Sequence, residues 1–385
     1  MQASLRLSGQ TDVAAHVAVA IHIFDQVSKA HADHLYFRPH APVSSQGLRL
    51  SLSGNASNAS SNLFRSHTFR LLMRLAEGIL PSLTSSSNKL GDIPTYAAAS
   101  HRERAAGHQV SGLARSNDTM AALAKLGMTP VRGTLDDAEV LAKAAHDADV
   151  TVNTANAGHR AAAEVMLKAL AGTGKTILHT DGSSIVGTRA RGEFVEKVFD
   201  EDTPFTPTPQ RAPRVEIDKL VRRAAGDGIR SVVIAPSLIY GRGHGLNPHS
   251  IQVPWLIQMA KKFGVAKHIG PGENRWANVH IDDLKALYVL AIEKAPAGAF
   301  YYAENGENSM REVCEAISRM LGQGGRTQSI TVEEAATEWG EGPANDTMGS
   351  NSRVCAKRAR AELKWQPKAR SLIEEIERGC YAKEL

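Results

Sequence analysis

The stretch from Gly91 to Val110, GDIPTYAAASHRERAAGHQV, has the form of the back half of a phosphate-holding loop: a glycine, a helical run and then the strand-like HQVSGLA. A glycine-rich turn before a helix lets backbone N–H groups approach a pyrophosphate at the helix amino terminus. Gly91 and Ile93 are the residues placed to line it, although one glycine stands where three are expected. At the end of HQVSGLA, Arg115 and Ser116 follow. An acidic residue there would bind ribose hydroxyls, whereas an arginine offers a planar fork to a 2′-phosphate, so the expected cofactor is NADP rather than NAD. A solvent-facing loop arginine is the plainer alternative.

Other candidates carry less. AGTGKT, residues 171–176, looks like a phosphate loop but has alanine at 169, and the strand and helix flank it in the wrong order. His31 and His34 stand three apart without a third ligand, so they read as solvent-facing and no metal is expected.

The elements that must position such residues follow a pattern. HQVSGLA, DVTVNTA, KTILHT and RSVVIAPSLIYG read as strands, while NDTMAALAKLG, HRAAAEVMLKALAG and RVEIDKLVRRAAGDG read as helices. Strand and helix alternate, and the strands are too apolar to have a wet face, which predicts an α/β fold with a doubly wound parallel sheet, Rossmann-like. Residues 89–245 would form this dinucleotide-binding domain, with a helix near 282–294 packed on it. Residues 246–385 would form a smaller, helix-rich substrate lobe. Three Ser/Thr-x-x-Glu capping boxes open helices there: Ser309/Glu312, Thr331/Glu334 and Ser371/Glu374.

Residues 1–88 are left as an unassigned, irregular leader. They include the apolar segment Val13 to Val27 and a Ser/Asn run, and their low acidity resembles a transit segment in composition. No buried strand leads into Gly91, since PSLTSSSNKL is polar. EGILPSL as a surrogate strand, a misread exon boundary and a decayed nucleotide site are three explanations.

The bulk numbers exclude several classes. At 385 residues and 42% hydrophobic composition, the chain can bury a large core. The formal charge of +5 is concentrated in residues 1–90, where 8 basic residues face 4 acidic ones. The rest is near neutral, with 37 against 36, so no nucleic-acid face is expected. No apolar run is long enough for a membrane span. Cys314, Cys355 and Cys380 make no paired framework, which suits a reducing, cytoplasmic setting.

The ordered set GHQVSGLARS, VRGTLDD, DVTVNTANA, ILHTDGSSIVG, EDTPFTPTP, RVEIDKLV, VVIAPSLIYGRG and WANVHIDDL resembles the extended and atypical short-chain dehydrogenase/reductases, the epimerase/dehydratase-like group, over roughly residues 91–385. No single motif decides this; their order and spacing do. The resemblance implies that Gly91 is the middle glycine of the nucleotide loop, with Asn88 and Pro94 at the flanking glycine positions. It implies that Ala155, at the tip of DVTVNTA, and Pro236 and Ser237, beside the nicotinamide, contact cofactor together with Arg115 and Ser116. Thr134 stands where an adenine-contacting aspartate is usual. The family's Tyr-x-x-x-Lys pair maps onto Val215 and Lys219, so Lys219 would bind the nicotinamide ribose while the phenol that moves a proton is replaced by valine. Ser183, beside the family's serine position at Gly182, would polarise the substrate oxygen. His179 reads as a buried structural histidine. His280 and Asp282 would hold the junction of the lobes, with Asp282 or Asp283 capping the next helix.

Together these readings imply an NAD(P)-dependent oxidoreductase or epimerase-like enzyme acting on a carbonyl or hydroxyl of a small metabolite, of the aldehyde/alcohol or nucleotide-sugar class. A non-catalytic dinucleotide-binding sensor or scaffold is the alternative. The expected partner is a small-molecule substrate, with neither nucleic acid nor membrane, and a homodimer is allowed.

Overall fold

The computed structural model describes the backbone of residues 16–20 and residues 109–243, 245–246 and 248–384. Seven parallel strands form its central sheet: β1 (His16–Ala20), β2 (Gln109–Ala114), β3 (Thr129–Arg132), β4 (Val150–Asn153), β5 (Thr176–Thr180), β7 (Arg230–Pro236) and β11 (Ala299–Ala303). Their spatial order is β11-β7-β5-β4-β1-β2-β3, with β6 (Thr188–Arg189), β8 (Leu238–Tyr240), β9 (Ala266–Ile269) and β10 (Arg275–His280) in smaller sheets. This is the doubly wound arrangement expected from the sequence. The chain runs outward from β1 to β3, then returns to β4 on the other side of β1, which creates a switch point between β1 and β4.

The strands are buried because helices cover both faces. From β5 onward they carry Ile177, Leu178, Val232, Val233 and Ile234, none more than 1% exposed. Between them run α1 (Asn117–Lys125), α2 (Ala138–Asp147), α3 (Arg160–Leu170) and α4 (Ala212–Arg223). Helix α4 starts with proline near its amino end, where a missing N–H costs nothing. It turns Val215, Ile217, Asp218 and Val221 inward.

The first strand differs from the sequence expectation. His16–Ala20 pairs in parallel with β2 on one side and β4 on the other, so the central position is filled from the segment assigned to a leader. EGILPSL, the proposed surrogate, lies outside the described residues. The local reason for the miss is length: five residues of HVAVA are too short a run to stand out so far from β2.

RSVVIAPSLIYG was expected to be one strand and is two. Ser237 interrupts it by donating both its N–H (3.0 Å) and its hydroxyl (2.8 Å) to the Ala303 carbonyl. Strand β7 stays in the main sheet, while β8 joins β10 and β12 (Glu307–Ser309) in a separate sheet. Gly241 follows at φ +90°, where a Cβ would lie 2.4 Å from His280 Nε2, so the turn into the second core requires glycine.

That second core is built from α5 (Gln252–Phe263), α7 (Met310–Met320), α8 (Val332–Trp339) and later helices, around Leu256, Ile257, Val313 and Ile317. All three capping boxes form, with side-chain and backbone bonds both present at Ser309/Glu312, Thr331/Glu334 and Ser371/Glu374. Helix α6 (Ile281–Lys294) contributes Leu284, Leu287, Tyr288 and Ala291 to the sheet's own core. Its cap is His280, whose Nδ1 accepts from the Asp282 N–H at 3.1 Å, and neither aspartate fills that role. Asp283 instead accepts the backbone N–H groups of Lys368 and Ala369, at 2.8 and 3.0 Å. Among the described residues no helix is long and apolar enough to cross a membrane.

Candidate active site at the strand tips

Because the sheet is parallel, Ala114, Asn153, Thr180 and Pro236 end at one edge, where ligands of open parallel sheets bind. Arg115 follows β2, Ala155 follows β4, Asp181 to Ser183 follow β5, and Ser237 follows β7. Gly91 and Ile93 lie outside the described residues.

Arg115 is half-buried and makes no hydrogen bond or ion pair with the described residues, which leaves its guanidinium available to a ligand. Ser116 is spent on structure: its hydroxyl accepts from the Thr119 N–H at 3.2 Å and caps α1. Thr134 bonds Asp137 at 3.0 Å, and the Ala155 N–H donates to Asn153 Oδ1 at 3.3 Å. Pro236 is buried, and Ser237 is occupied with Ala303 as described. Ser183 is also occupied. It lies 1% exposed in a short 3₁₀ turn, and its hydroxyl pairs with that of Ser352 at 2.8 Å. The AGTGKT turn spends its Gly172 and Gly174 N–H groups on the carbonyls of Asp227 and Gly228 and has none to offer a phosphate.

Lys219 and Val215 share a face, as their spacing requires, but that face looks onto a cavity of about 110 Å³ beside the edge strand, lined with Phe205, Phe300 and Tyr302. The Lys219 ammonium pairs with Glu216 at 2.7 Å and is 49% exposed. The α4 residue that reaches the tip of β5 is Arg214. Its Nε donates to Asp181 Oδ1 at 2.5 Å, its Nη2 donates to the same oxygen, and its Nη1 donates to the Ser184 hydroxyl at 3.2 Å. It is thus the arginine one position before Val215 that bonds the tip of β5, while Lys219 bonds Glu216.

Behind this pair lies a buried polar cluster. Asp181 has a fully buried side chain, Asp218 is 4% exposed and His179 is 1% exposed. Asn153 uses Oδ1 to accept from Ala155, so its Nδ2 donates to His179 Nδ1, 3.1 Å away. That fixes the neutral histidine tautomer with its proton on Nε2, which points toward Asp218 Oδ1 at 3.9 Å. Burial holds the His179 pKa down to about 4, against the opposing pull of Asp181. Burial, then the charge of Asp181, pushes the Asp218 carboxyl far above the usual carboxylate range. Sequence reasoning missed Asp181, Arg214 and Asp218. The available signal was Asp218 itself, a carboxylate adjoining the apolar stripe of Ile217 and Val221.

A doubly wound sheet with an open arginine after its second strand and buried titratable groups at its fifth defines a dinucleotide-binding α/β protein. Residues 97–302 match the family model described as the NAD dependent epimerase/dehydratase family, and the chain belongs to that family. It is 31% identical over 284 residues to the oxidase ucsJ of Acremonium sp, an alignment covering 64% of this chain and 81% of that protein. The fold is shared with dTDP-glucose 4,6-dehydratase of Bacillus anthracis in complex with NAD, at TM-score 0.60 and 16% identity, over 75% of this chain and 92% of that one. It is also shared with UDP-glucose 4-epimerase of Thermotoga maritima with UDP-glucose, at TM-score 0.58 and 14% identity, over 74% and 93%.

Proposed function

We propose that the protein is an oxidoreductase that uses a nicotinamide dinucleotide to interconvert a carbonyl and a hydroxyl on a small metabolite, of the aldehyde/alcohol or nucleotide-sugar class. The observation that carries this reading is the convergence of Arg115, Ala155, Asp181 and Pro236 on the carboxyl edge of one parallel sheet, in a chain of the NAD-dependent epimerase/dehydratase family. The described tips fit the cofactor. Arg115, without a partner among the described residues, is a cation where a dinucleotide's second ribose is bound in this fold. Residues 21–108, the connection after β1, lie outside the described residues and contain no glycine before Gly47.

When bound, the nicotinamide supplies the hydride donor or acceptor. This chain's own residues do the remaining work. Arg115 favours a 2′-phosphate, and hence NADP over NAD, because a guanidinium forks onto phosphate oxygens. Arg214 holds Asp181 at the tip of β5. Ser184, donated to by Arg214, keeps its own O–H for a substrate oxygen, whereas Ser183 is committed to Ser352. Binding without turnover is the second reading, favoured by valine at the phenol position.

The test is a titration of the purified chain with NADPH and NADH, following nicotinamide fluorescence. Saturation with tighter binding of NADPH is expected. No saturable signal with either nucleotide sinks both readings.

A further inference from the structure

We propose that Asp181 and Asp218 hold a single proton between them, and that this buried carboxyl pair exchanges a proton with the substrate oxygen in place of the phenol that Val215 removes. The proposal rests on the oxidoreductase reading. Four buried polar atoms here have no hydrogen-bond partner, namely Asp181 Oδ2, both carboxyl oxygens of Asp218 and His179 Nε2, the last 3.9 Å from Asp218 Oδ1. Two ionised carboxylates facing each other in a buried site repel, and neither has a proton to give the other. One proton between them resolves this and leaves an oxygen of Asp218 free to face the His179 N–H.

The charges around the pair decide where the proton sits. Arg214 gives two N–H groups to Asp181 Oδ1, which occupies that oxygen as an acceptor. Asp218 then carries the proton: Arg214 and Arg222 of α4 favour its ionised form, but burial and Asp181 outweigh them. From the other elements packed here, β5 brings His179, neutral at pH 7, and β11 brings Tyr302. The preceding loop brings Glu201, whose carboxyl is itself raised by burial, and Lys219 stands at the rim of the same cavity. Asp218 also lines that cavity of about 110 Å³, which has room for water, while its carboxyl oxygens are themselves buried.

In carbonyl reduction the bookkeeping closes. When bound, a reduced nicotinamide would supply the hydride to the carbonyl carbon, leaving the C=O π electrons on oxygen. That oxygen would draw its proton from the pair, and the proton lost is the one Asp218 carries. The alcohol would form with one proton from the pair, and water in the cavity would return a proton to Asp218 within the turnover, with Arg214 offsetting the charge meanwhile.

The experiment has two arms. Asp218→Asn keeps the side-chain size and gives Asp181 a permanent N–H donor, but cannot release a proton. A carboxyl whose folded pKa is raised contributes stability that is fully present below its unfolded pKa and is lost as pH rises through its folded pKa. In urea unfolding from pH 5 to 9, the wild-type unfolding constant should therefore grow relative to Asp218→Asn by up to about tenfold per pH unit, the limit for one proton. If Asp218→Asn does not fold, Asp181→Asn removes the other carboxyl and makes the same comparison. Parallel stabilities across this range overturn the shared proton.

The second arm measures NADP⁺ and NADPH affinity over the same pH range by quenching of tryptophan fluorescence. A positive nicotinamide near the pair drives its proton off, so the Kd of NADP⁺ should fall several-fold against that of NADPH as pH rises, and Asp218→Asn should flatten the ratio. A ratio that is independent of pH in the wild type removes the pair from the reaction site. Failure of both nucleotides to bind instead defeats the oxidoreductase reading, and the unfolding arm still decides the proton.

Discussion

Arg214 joins helix α4 to the tip of β5 by donating Nε to Asp181 Oδ1 at 2.5 Å, and the carboxylate it holds has no exposed side-chain surface. Removing one partner of a buried pair leaves an uncompensated charge, which costs about 3–5 kcal/mol. Arg214→Ala should lower the urea-unfolding free energy by about 3 kcal/mol. Adding Asp181→Asn should restore part of the loss. A double variant no more stable than Arg214→Ala would show that the arginine acts through packing alone.

Arg115 tests cofactor preference. Hydrogen bonds to a charged group contribute roughly 1.5–3 kcal/mol, which corresponds to about 10- to 100-fold in affinity. Arg115→Ala should weaken NADPH by about that factor and change NADH by less than about threefold. Equal losses for both nucleotides would place Arg115 away from the 2′-phosphate.

The legible parts of the fold were those set by local chemistry. Capping boxes at Ser309, Thr331 and Ser371 formed as written, because each is satisfied within four residues. The parallel sheet followed from strands such as RSVVIAP, whose residues have no polar face to turn to water. The site was less legible. Helical periodicity puts Val215 and Lys219 on one face but does not say which neighbour that face meets, and the tertiary packing gives it the cavity by Tyr302 while Arg214 receives the strand tip. Ser116, Ser183 and Ser237 looked available as residue types, yet their hydroxyls are taken by Thr119, Ser352 and Ala303.

Val215→Tyr separates the two faces of α4. The new ring would enter the cavity by Phe300 and Tyr302, so nucleotide affinity should change by less than about twofold, and overpacking should cost about 1–3 kcal/mol at most. A tenfold change in NADPH affinity would put position 215 at the reaction site after all.

The first strand is testable through its backbone. Ala18 stands opposite Ser111 of β2 and Thr151 of β4, so its N–H and C=O belong to a strand paired on both sides. Proline cannot donate to such a ladder and is found essentially only at sheet edges or bulges. Ala18→Pro should destabilise the chain by about 3 kcal/mol or more, read by circular dichroism during urea unfolding. A loss within about 0.5 kcal/mol, the range of neutral surface changes, would mean that residues 16–20 do not supply the central strand.

His179 sets the acid side of stability. Its pKa is held down to about 4 from 6.5 chiefly by burial, while the unfolded chain lets the ring titrate normally. A depressed pKa means that the folded state binds fewer protons than the unfolded state between these values, so stability is full above 6.5 and falls as pH drops toward 4. At 1.36 kcal/mol per pKa unit, the loss across that window is about 3 kcal/mol. His179→Gln keeps a polar group for Asn153 and cannot charge, so its unfolding free energy should decline less steeply than the wild type's from pH 6.5 to 4.5. The ring's neutrality is also what leaves Nε2–H facing Asp218. Protonating Nδ1 would break the bond from Asn153 and put a cation beside the carboxyl pair, drawing the proton off Asp218. If the two proteins lose stability in parallel over this range, His179 already carries its charge in the folded state, and the tautomer assigned through Asn153 is wrong.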